Sequence, residues 1–171
     1  MIRCQITNGM GSSCLSPHAE LIQIREPQFT AKALAVYVRQ ALALQLPGRI
    51  LVNDRLDVAL ATGAAGVHLK SNGVSAKLVR QLVPNGFLIT VACHNLDDVL
   101  AAEGADYVLL SPIFSPLSKV DSRSPLGLAE LRKLARLSPI PVLALGGINE
   151  ANAASCIEAG AVGVAGISLF S

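Results

Sequence analysis

The sequence predicts an α/β fold, an abbreviated (β/α)8 (TIM) barrel that forms a single domain over residues 1–171. A glycine-containing phrase recurs at residues 61–67, 103–108 and 158–164, each time between a helix-like stretch and an apolar stretch typical of a strand. Eight such apolar stretches alternate with helical patterns along the chain. A complete barrel takes about 250 residues, so a chain of 171 residues must lack part of the helical layer.

Eight strands are predicted where short aliphatic runs end in polar residues or glycine. In chain order they cover residues 3–7, 21–25, 49–53, 66–69, 88–92, 107–110, 141–145 and 163–166. Most of these runs are mainly apolar, which is typical of parallel strands buried on both faces. A Rossmann-like open sheet is the alternative, and in both folds ligands bind at the carboxyl ends of the strands.

Five helices are predicted, four of them directly after a residue suited to cap a helix. The capping residues are Thr30, Ser75, Asn95 and Asn149. The helices cover residues 31–44, 76–83, 96–102, 128–136 and 150–158. Residues 8–20 show no helical period, so we expect the first helix to be reduced to a loop or a turn. We expect the last helix to be a stub, because few residues follow the eighth strand.

Composition and charge exclude several classes of protein. Hydrophobic residues make up 51% of the chain and charged residues 15%, yet no uncharged apolar run approaches the roughly 20 residues that a membrane span needs. The net charge of +2, with no basic run, predicts no nucleic-acid partner. The amino terminus does not resemble a signal peptide, which favours a cytoplasmic location.

The cysteines and the shortened helical layer carry two further expectations. Cys4, Cys14, Cys93 and Cys156 have no spacing typical of a metal site, so we expect reduced thiols. Barrel wall that lacks a covering helix exposes apolar surface, which predicts a homo-oligomer.

Polar side chains follow the second and third strands. Gln23 and Arg25 share one face of the second strand because side chains alternate. An arginine that points inward there needs an anionic ligand or a salt bridge with a neighbouring carboxylate such as Asp54. Asn53 precedes Asp54, which is a candidate metal ligand and, on an alternative interpretation, the N-cap of a helix.

Two histidines lie near strand ends, and a long loop follows the sixth strand. His68 and His94 are candidate general bases, although a structural role is more frequent for histidines so placed. The loop 111–123 is the longest polar connection and is expected to be functional or disordered. Its Ser118 and Lys119 are candidates to close over a phosphate, the alternative being an ordinary solvated loop.

Glycines after the seventh strand predict a phosphate site. Gly146 and Gly147 precede a capped helix, and Ser168 follows the eighth strand. Glycine permits close backbone approach, and free N–H groups at a helix start attract anions. Because the loops after strands seven and eight recur as a phosphate site in this architecture, a phosphorylated ligand is predicted.

These same residues resemble the successive motifs of the thiamine phosphate synthase and TenI (thiazole tautomerase) family. The resemblance runs in order from Leu21 onward. It rests on residues 23–26, 52–54, 66–69, 94, 104–108, 111–114, 118–119, 145–148, 160–161 and 168.

The resemblance implies a condensation of two substrates. Hydroxymethylpyrimidine diphosphate loses pyrophosphate, and the nitrogen of a thiazole phosphate captures the pyrimidine methylene, while Mg²⁺ and basic groups hold the leaving diphosphate. By match of motif, Gln23 contacts the pyrimidine, and Asp54 binds the metal. The pyrophosphate contacts are Arg25, Asn53 and Lys119. The thiazole phosphate contacts are Ser118, Gly146, Gly147 and Ser168.

The chain departs from the synthase pattern at several positions. Pro27 stands where the family has a lysine, Gly73 where a second metal carboxylate is expected, and Ala92 where a serine is expected. Pro116 replaces a loop hydroxyl. Losing a cation and a metal ligand weakens transition-state stabilisation of the leaving diphosphate, so any Mg²⁺ site is weakened.

The departures spare the thiazole phosphate side, so the first prediction is a TenI-like protein that binds a thiazole phosphate, with thiazole tautomerisation as its candidate reaction. Pro112 stands where tautomerases have a histidine. One alternative is a thiamine phosphate synthase. Another is a non-catalytic regulatory protein that binds a phosphorylated thiazole or thiamine phosphate, which leaves open whether the chain is an enzyme. A third is an unrelated phosphate-binding isomerase or aldolase, although no lysine lies inside a predicted strand.

Overall fold

The computed structural model describes residues 1–9, 15–115, 124–167 and 169. Eight parallel strands close a barrel in chain order, with the first strand paired to the last. They are β1 (Ile2–Ile6), β2 (Leu21–Ile24), β3 (Arg49–Asn53), β4 (Gly66–Leu69), β5 (Leu88–Cys93), β6 (Tyr107–Leu110), β7 (Val142–Leu145) and β8 (Gly163–Gly166). The predicted fold class is confirmed, and the open-sheet alternative is wrong because β1 and β8 are hydrogen-bonded.

Six helices cover the outside of the barrel in the described part of the chain. They are α1 (Ala31–Ala43), α2 (Leu56–Thr62), α3 (Ala76–Leu82), α4 (Leu96–Ala101), α5 (Gly127–Leu137) and α6 (Glu150–Glu158). Each predicted capping side chain accepts a hydrogen bond from the first turn of its helix. The sequence patterns did not delimit α2, whose N-cap residue is Arg55, without a side-chain capping bond. Asp54 is therefore not an N-cap.

The shortened helical layer agrees with the prediction where the structure describes it. Residues 7–9 and 15–20, between β1 and β2, contain no helix. Residues 167 and 169, which follow β8, lie outside any α-helix, and the rest of the predicted stub lies outside the described residues, as does Cys14.

The fold has two apolar cores, because the side chains of each strand alternate between the barrel interior and the helical layer. The interior core contains Cys4, Ile6, Leu21, Leu51, Leu109, Leu143 and Ala165. The outer core, between strands and helices, is larger and includes Ile22, Ile24, Val67 and Ile89. The interior is filled with side chains, so a ligand can enter only at the ends of the barrel.

A groove of about 540 Å³ runs along the outer wall beside α6, lined by Met1, Ala153, Ile157, Val164 and Leu169 among others. It lies where β1 and β8 have no helix of their own among the described residues. The predicted homo-oligomer would cover such a surface and stays a prediction, as does the cytoplasmic location. None of the described helices is long and apolar enough to cross a membrane.

Candidate active site

A cavity of about 600 Å³ opens at the carboxyl ends of β2, β3 and β4. It brings together four residues that the sequence singled out, Arg25, Asn53, Asp54 and His68. It also contains Lys70, which lies just beyond the predicted fourth strand and was not among the candidate residues. The remaining lining residues are Glu26, Pro27, Phe29, Leu34, Arg55 and Ala92.

A belt of polar side chains lies inside the carboxyl end of the barrel, and two of its members, Asn53 and His68, also line the cavity. Asn53 pairs with His68 in the β3–β4 register, and His68 pairs with Thr90 in the β4–β5 register. The Gln23 amide nitrogen donates to Asn53 Oδ1 at 3.0 Å. Gln23 Oε1 is buried and has no hydrogen-bond partner among the residues that the structure describes. Since a buried polar atom without a partner is costly, Oε1 is suited to accept a hydrogen bond from a ligand.

His68 is a neutral member of this belt. It is 6% exposed, and its Nδ1 lies 2.8 Å from Thr90 Oγ1. Burial lowers the pKa of His68 to about 4; Arg25 also lowers it, and Asp54 opposes the change. A neutral imidazole contributes no positive charge to the cavity at neutral pH, so the cations there are arginine and lysine side chains.

Arg25 follows β2 and is half-buried at the cavity wall. Its backbone N–H donates to Thr7 Oγ1 at 2.9 Å. Within the described part of the chain its guanidinium forms no ion pair, so of the two alternatives for Arg25 the salt bridge with a carboxylate such as Asp54 is not found there. Neighbouring Glu26 is buried, and its Oε2 accepts a hydrogen bond from Gln28 at 3.0 Å. In the described part of the chain, Glu26 Oε1 has no partner.

Asp54 forms its ion pair with Lys70 instead. Asp54 has a left-handed backbone conformation, with φ of 56°, and its N–H donates to the His68 carbonyl at 2.7 Å. Arg55, the third cation of the cavity, is held by Asp57 through two hydrogen bonds of 2.8 and 2.6 Å. Arg25 and Lys70 are therefore the cations best placed to meet an anionic ligand.

The described residues do not supply the pair of carboxylates, at positions 54 and 73, that the resemblance implied for Mg²⁺. Among residues 1–9, 15–115, 124–167 and 169, no group of three or more His, Cys, Asp or Glu side chains could hold a metal ion. The carboxylate expected to bind the metal, Asp54, already contacts the Lys70 ammonium group. Position 73, where a second carboxylate was expected, is glycine.

His94 lies apart from this cavity. Its Nδ1 is 2.8 Å from the carbonyl oxygen of Ser111, and its backbone N–H donates to Asp98 at 2.8 Å. These contacts join the end of β5 to the loop after β6 and to α4. His94 does not line the cavity that contains His68, so the two candidate bases belong to different parts of the barrel mouth.

Gly146 and Gly147 both have positive φ, of 99° and 62°. A Cβ atom would lie 2.8 Å from Pro112 Cα at the first position and 2.7 Å from the Ser115 carbonyl oxygen at the second. The adjacent α6 is capped by Asn149, which takes the N–H groups of the following turn. Close packing against the loop after β6 thus accounts for the glycines, and their phosphate role stays a prediction. The other predicted contacts on this side, Ser118, Lys119 and Ser168, lie outside the described residues.

Lys70 is the functional candidate that the sequence analysis missed, and a signal for it was present. It follows His68 by two residues, directly after β4, so alternation along the strand places both side chains on the face toward the cavity. A lysine at the carboxyl end of a barrel strand is a position where ligand contacts are expected.

A closed parallel barrel with a cationic cavity at the carboxyl ends of its strands defines a class, that of barrel proteins that bind anionic small molecules. The profile of the family described as thiamine monophosphate synthase matches residues 10–170. The chain belongs to this family.

Relatives and a solved structure support the assignment. The chain is 43% identical over 155 residues to a thiamine-phosphate synthase from Methanoculleus marisnigri, covering 88% of this chain and 73% of that one. It is 41% identical over 151 residues to a putative thiamine-phosphate synthase from Geobacter sulfurreducens, covering 86% and 71%. The structure of thiamine phosphate pyrophosphorylase from Pyrococcus furiosus is similar with a TM-score of 0.82 and 30% identity, covering 98% and 85%.

Proposed function

We propose that the chain is a thiamine-phosphate synthase, which joins the methylene carbon of hydroxymethylpyrimidine diphosphate to the nitrogen of a thiazole phosphate and releases pyrophosphate. The curated relatives described above have synthase names. They favour this reaction over the tautomerase that the sequence analysis put first. The absence of a histidine at position 112 weighs in the same direction.

The observation that carries the proposal is the Arg25 guanidinium, a half-buried cation at the cavity wall with no ion-pair partner among the described residues. Removing a charge from water is unfavourable unless an opposite charge meets it. The leaving diphosphate of the pyrimidine substrate supplies that charge. In the transition state the C–O bond breaks and negative charge grows on the diphosphate, so a positioned cation lowers the barrier.

The remaining residues have proposed roles around this step. The unpartnered Gln23 Oε1 accepts a hydrogen bond from the pyrimidine, and Asn53, fixed by Gln23, contacts the diphosphate beside Arg25. The thiazole nitrogen then donates its electron pair to the methylene carbon as the diphosphate leaves with the pair of the broken bond. We propose that Ser118, Lys119, Gly146, Gly147 and Ser168 hold the thiazole phosphate.

The test is turnover with both substrates, monitored as thiamine phosphate formed and pyrophosphate released. We expect the Arg25→Ala variant to lose about a hundredfold or more in kcat/KM, because a preorganised charge that acts on the leaving group is removed. Lys77→Ala is the matched control, since Lys77 is an exposed cation of α3 paired with Glu103 at 3.0 Å. It should leave kcat/KM unchanged.

Two results would contradict the proposal. Absence of thiamine phosphate under conditions in which the protein binds the thiazole phosphate would favour the non-catalytic regulatory protein. Conversion of a thiazole phosphate tautomer by a chain that forms no thiamine phosphate would favour the tautomerase.

A further inference from the structure

The Lys70 ammonium group contacts the Asp54 carboxylate, to which the resemblance assigned a metal ion. Lys70 Nζ forms an ion pair with Asp54 Oδ2, and both residues line the cavity. Lys70 remains substantially exposed, with 61% of its side chain accessible. The ammonium group is thus held by one carboxylate and still open toward the space that a ligand would fill.

The backbone positions the Asp54 carboxylate for this contact. A φ of 56° is uncommon for a residue other than glycine, although aspartate adopts it more readily than most. The conformation is secured by the hydrogen bond from the Asp54 N–H to the His68 carbonyl. Unusual backbone conformations that persist in this way cluster at functional sites. The fold therefore fixes the Asp54 backbone at the point where the Asp54 side chain meets Lys70.

Position 73 lies directly beside Lys70. The Gly73 N–H donates to the Lys70 carbonyl at 3.1 Å, and a Cβ at position 73 would lie 3.7 Å from Lys70 Cβ. The resemblance implies a metal-binding aspartate at position 73. The chain lacks this carboxylate and has a cation, Lys70, next to the position where it was expected. A divalent metal ion and the additional carboxylate that binds it together contribute a net charge of +1 to a site. One ammonium group contributes the same charge.

We propose that Lys70 replaces the metal ion of this site: its ammonium group bridges Asp54 and an oxygen of the bound diphosphate, so that diphosphate binds without a divalent cation. An ammonium group has three N–H donors, and the Asp54 contact leaves donors for the ligand. Arg25 supplies a second cation to the same cavity. The inference rests on the proposed function in taking the leaving diphosphate as the ligand.

The first test is calorimetric titration of the full chain with inorganic pyrophosphate in EDTA. We expect wild type to bind, Lys70→Gln to bind at least about tenfold more weakly, and Lys70→Arg to retain most of the affinity, since a charge-assisted hydrogen bond is lost only in the first variant. Lys77→Gln is the control cation outside the cavity and should bind as wild type does. Thermal unfolding of each variant verifies that it is folded.

The second test exchanges the lysine for a metal ligand. Replacing EDTA by Mg²⁺ should not increase the pyrophosphate affinity of wild type, whereas the double variant Lys70→Gln, Gly73→Asp should gain about tenfold or more, because carboxylates at 54 and 73 now offer Mg²⁺ two oxygen ligands. Gly73 has no positive φ in the structure, and an added Cβ would lie 3.3 Å from the Lys70 carbonyl oxygen, so aspartate needs only a small shift of the neighbouring backbone.

The proposal is overturned if wild type binds pyrophosphate only with Mg²⁺, if it binds in neither buffer, if Lys70→Gln binds as tightly as wild type, or if the double variant gains nothing from Mg²⁺. Its failure is distinct from failure of the proposed function. A chain that binds pyrophosphate in EDTA but forms no thiamine phosphate upholds the role of Lys70 and contradicts the synthase. A chain whose synthase activity and pyrophosphate binding both require Mg²⁺ upholds the synthase and contradicts the role of Lys70.

Discussion

Acid should destabilise this protein through His68, a buried imidazole whose pKa is lowered to about 4 by burial. An unfolded chain restores an ordinary histidine pKa near 6.5. Between these two values the unfolded state binds a proton that the folded state refuses, so the free energy of unfolding falls as the pH falls. The stabilisation is fully present above pH 6.5 and is lost progressively toward pH 4.

The magnitude follows from the difference between the two pKa values. A shift of about 2.5 units corresponds to about 3 kcal/mol at most, and about 2 kcal/mol of it is lost by pH 5. For a chain of this length that loss lowers Tm by roughly 4–8 °C. The figure applies without a correction for solvent screening because only 6% of His68 is exposed.

The assay is urea denaturation at pH 7.5, 6.5, 5.5 and 5.0, on wild type and on His68→Gln. Glutamine keeps a hydrogen-bonding group near Thr90 but does not titrate, so the difference between the two proteins isolates the histidine. Wild type should lose about 2 kcal/mol more than the variant over this range. Equal slopes for the two proteins would refute the reasoning, and so would a greater loss in the variant.

Three further outcomes are expected. Gly66→Ala should lower the free energy of unfolding, measured by urea denaturation, by at least about 3 kcal/mol, because the new Cβ would lie 2.2 Å from the Leu88 carbonyl oxygen of the neighbouring strand. Gly63 has positive φ but open space around it, so Gly63→Ala should lower the free energy of unfolding by only about 1 kcal/mol. Similar losses in the two variants would contradict this reasoning. Asp106→Ala should lower the free energy of unfolding by about 2 kcal/mol, since the Asp106 carboxylate accepts hydrogen bonds from the buried Ile89 N–H of β5 and from the Arg80 guanidinium of α3. An unchanged urea midpoint would show that these hydrogen bonds are dispensable. Burial raises the pKa of Cys4 and of Cys93 to about 12. Neither thiol should therefore react with Ellman's reagent at pH 8 until the protein unfolds. Rapid labelling of either cysteine in the native state would count against its burial.

The strands could be predicted within a residue or two because a parallel sheet buries both faces, which leaves a local apolar run in the sequence. Helix starts were equally readable where a side chain performs the capping, as at Thr30 and Asn149. The pattern failed to delimit α2, which has seven residues and begins at Arg55 without a side-chain cap. A helix without a local start signal is held mainly by packing against the barrel.

The residues of the candidate site were visible in the sequence as polar side chains at strand ends, but their partners were not. The sequence left open whether Arg25 meets an anionic ligand or a carboxylate such as Asp54, whereas in the structure Asp54 contacts Lys70. That choice depends on the β3–β4 register, in which Asn53 lies opposite His68, and on the left-handed turn at Asp54.

Local periodicity reflects interactions between neighbours along the chain, so strands, caps and the end of the barrel that binds ligands follow from it. Charge pairing at the mouth depends on strand register and on closure of the barrel, which bring together residues sixteen positions apart. The Lys70–Asp54 contact, and with it the question of whether this member of the family uses a metal, therefore emerges only when the chain is folded.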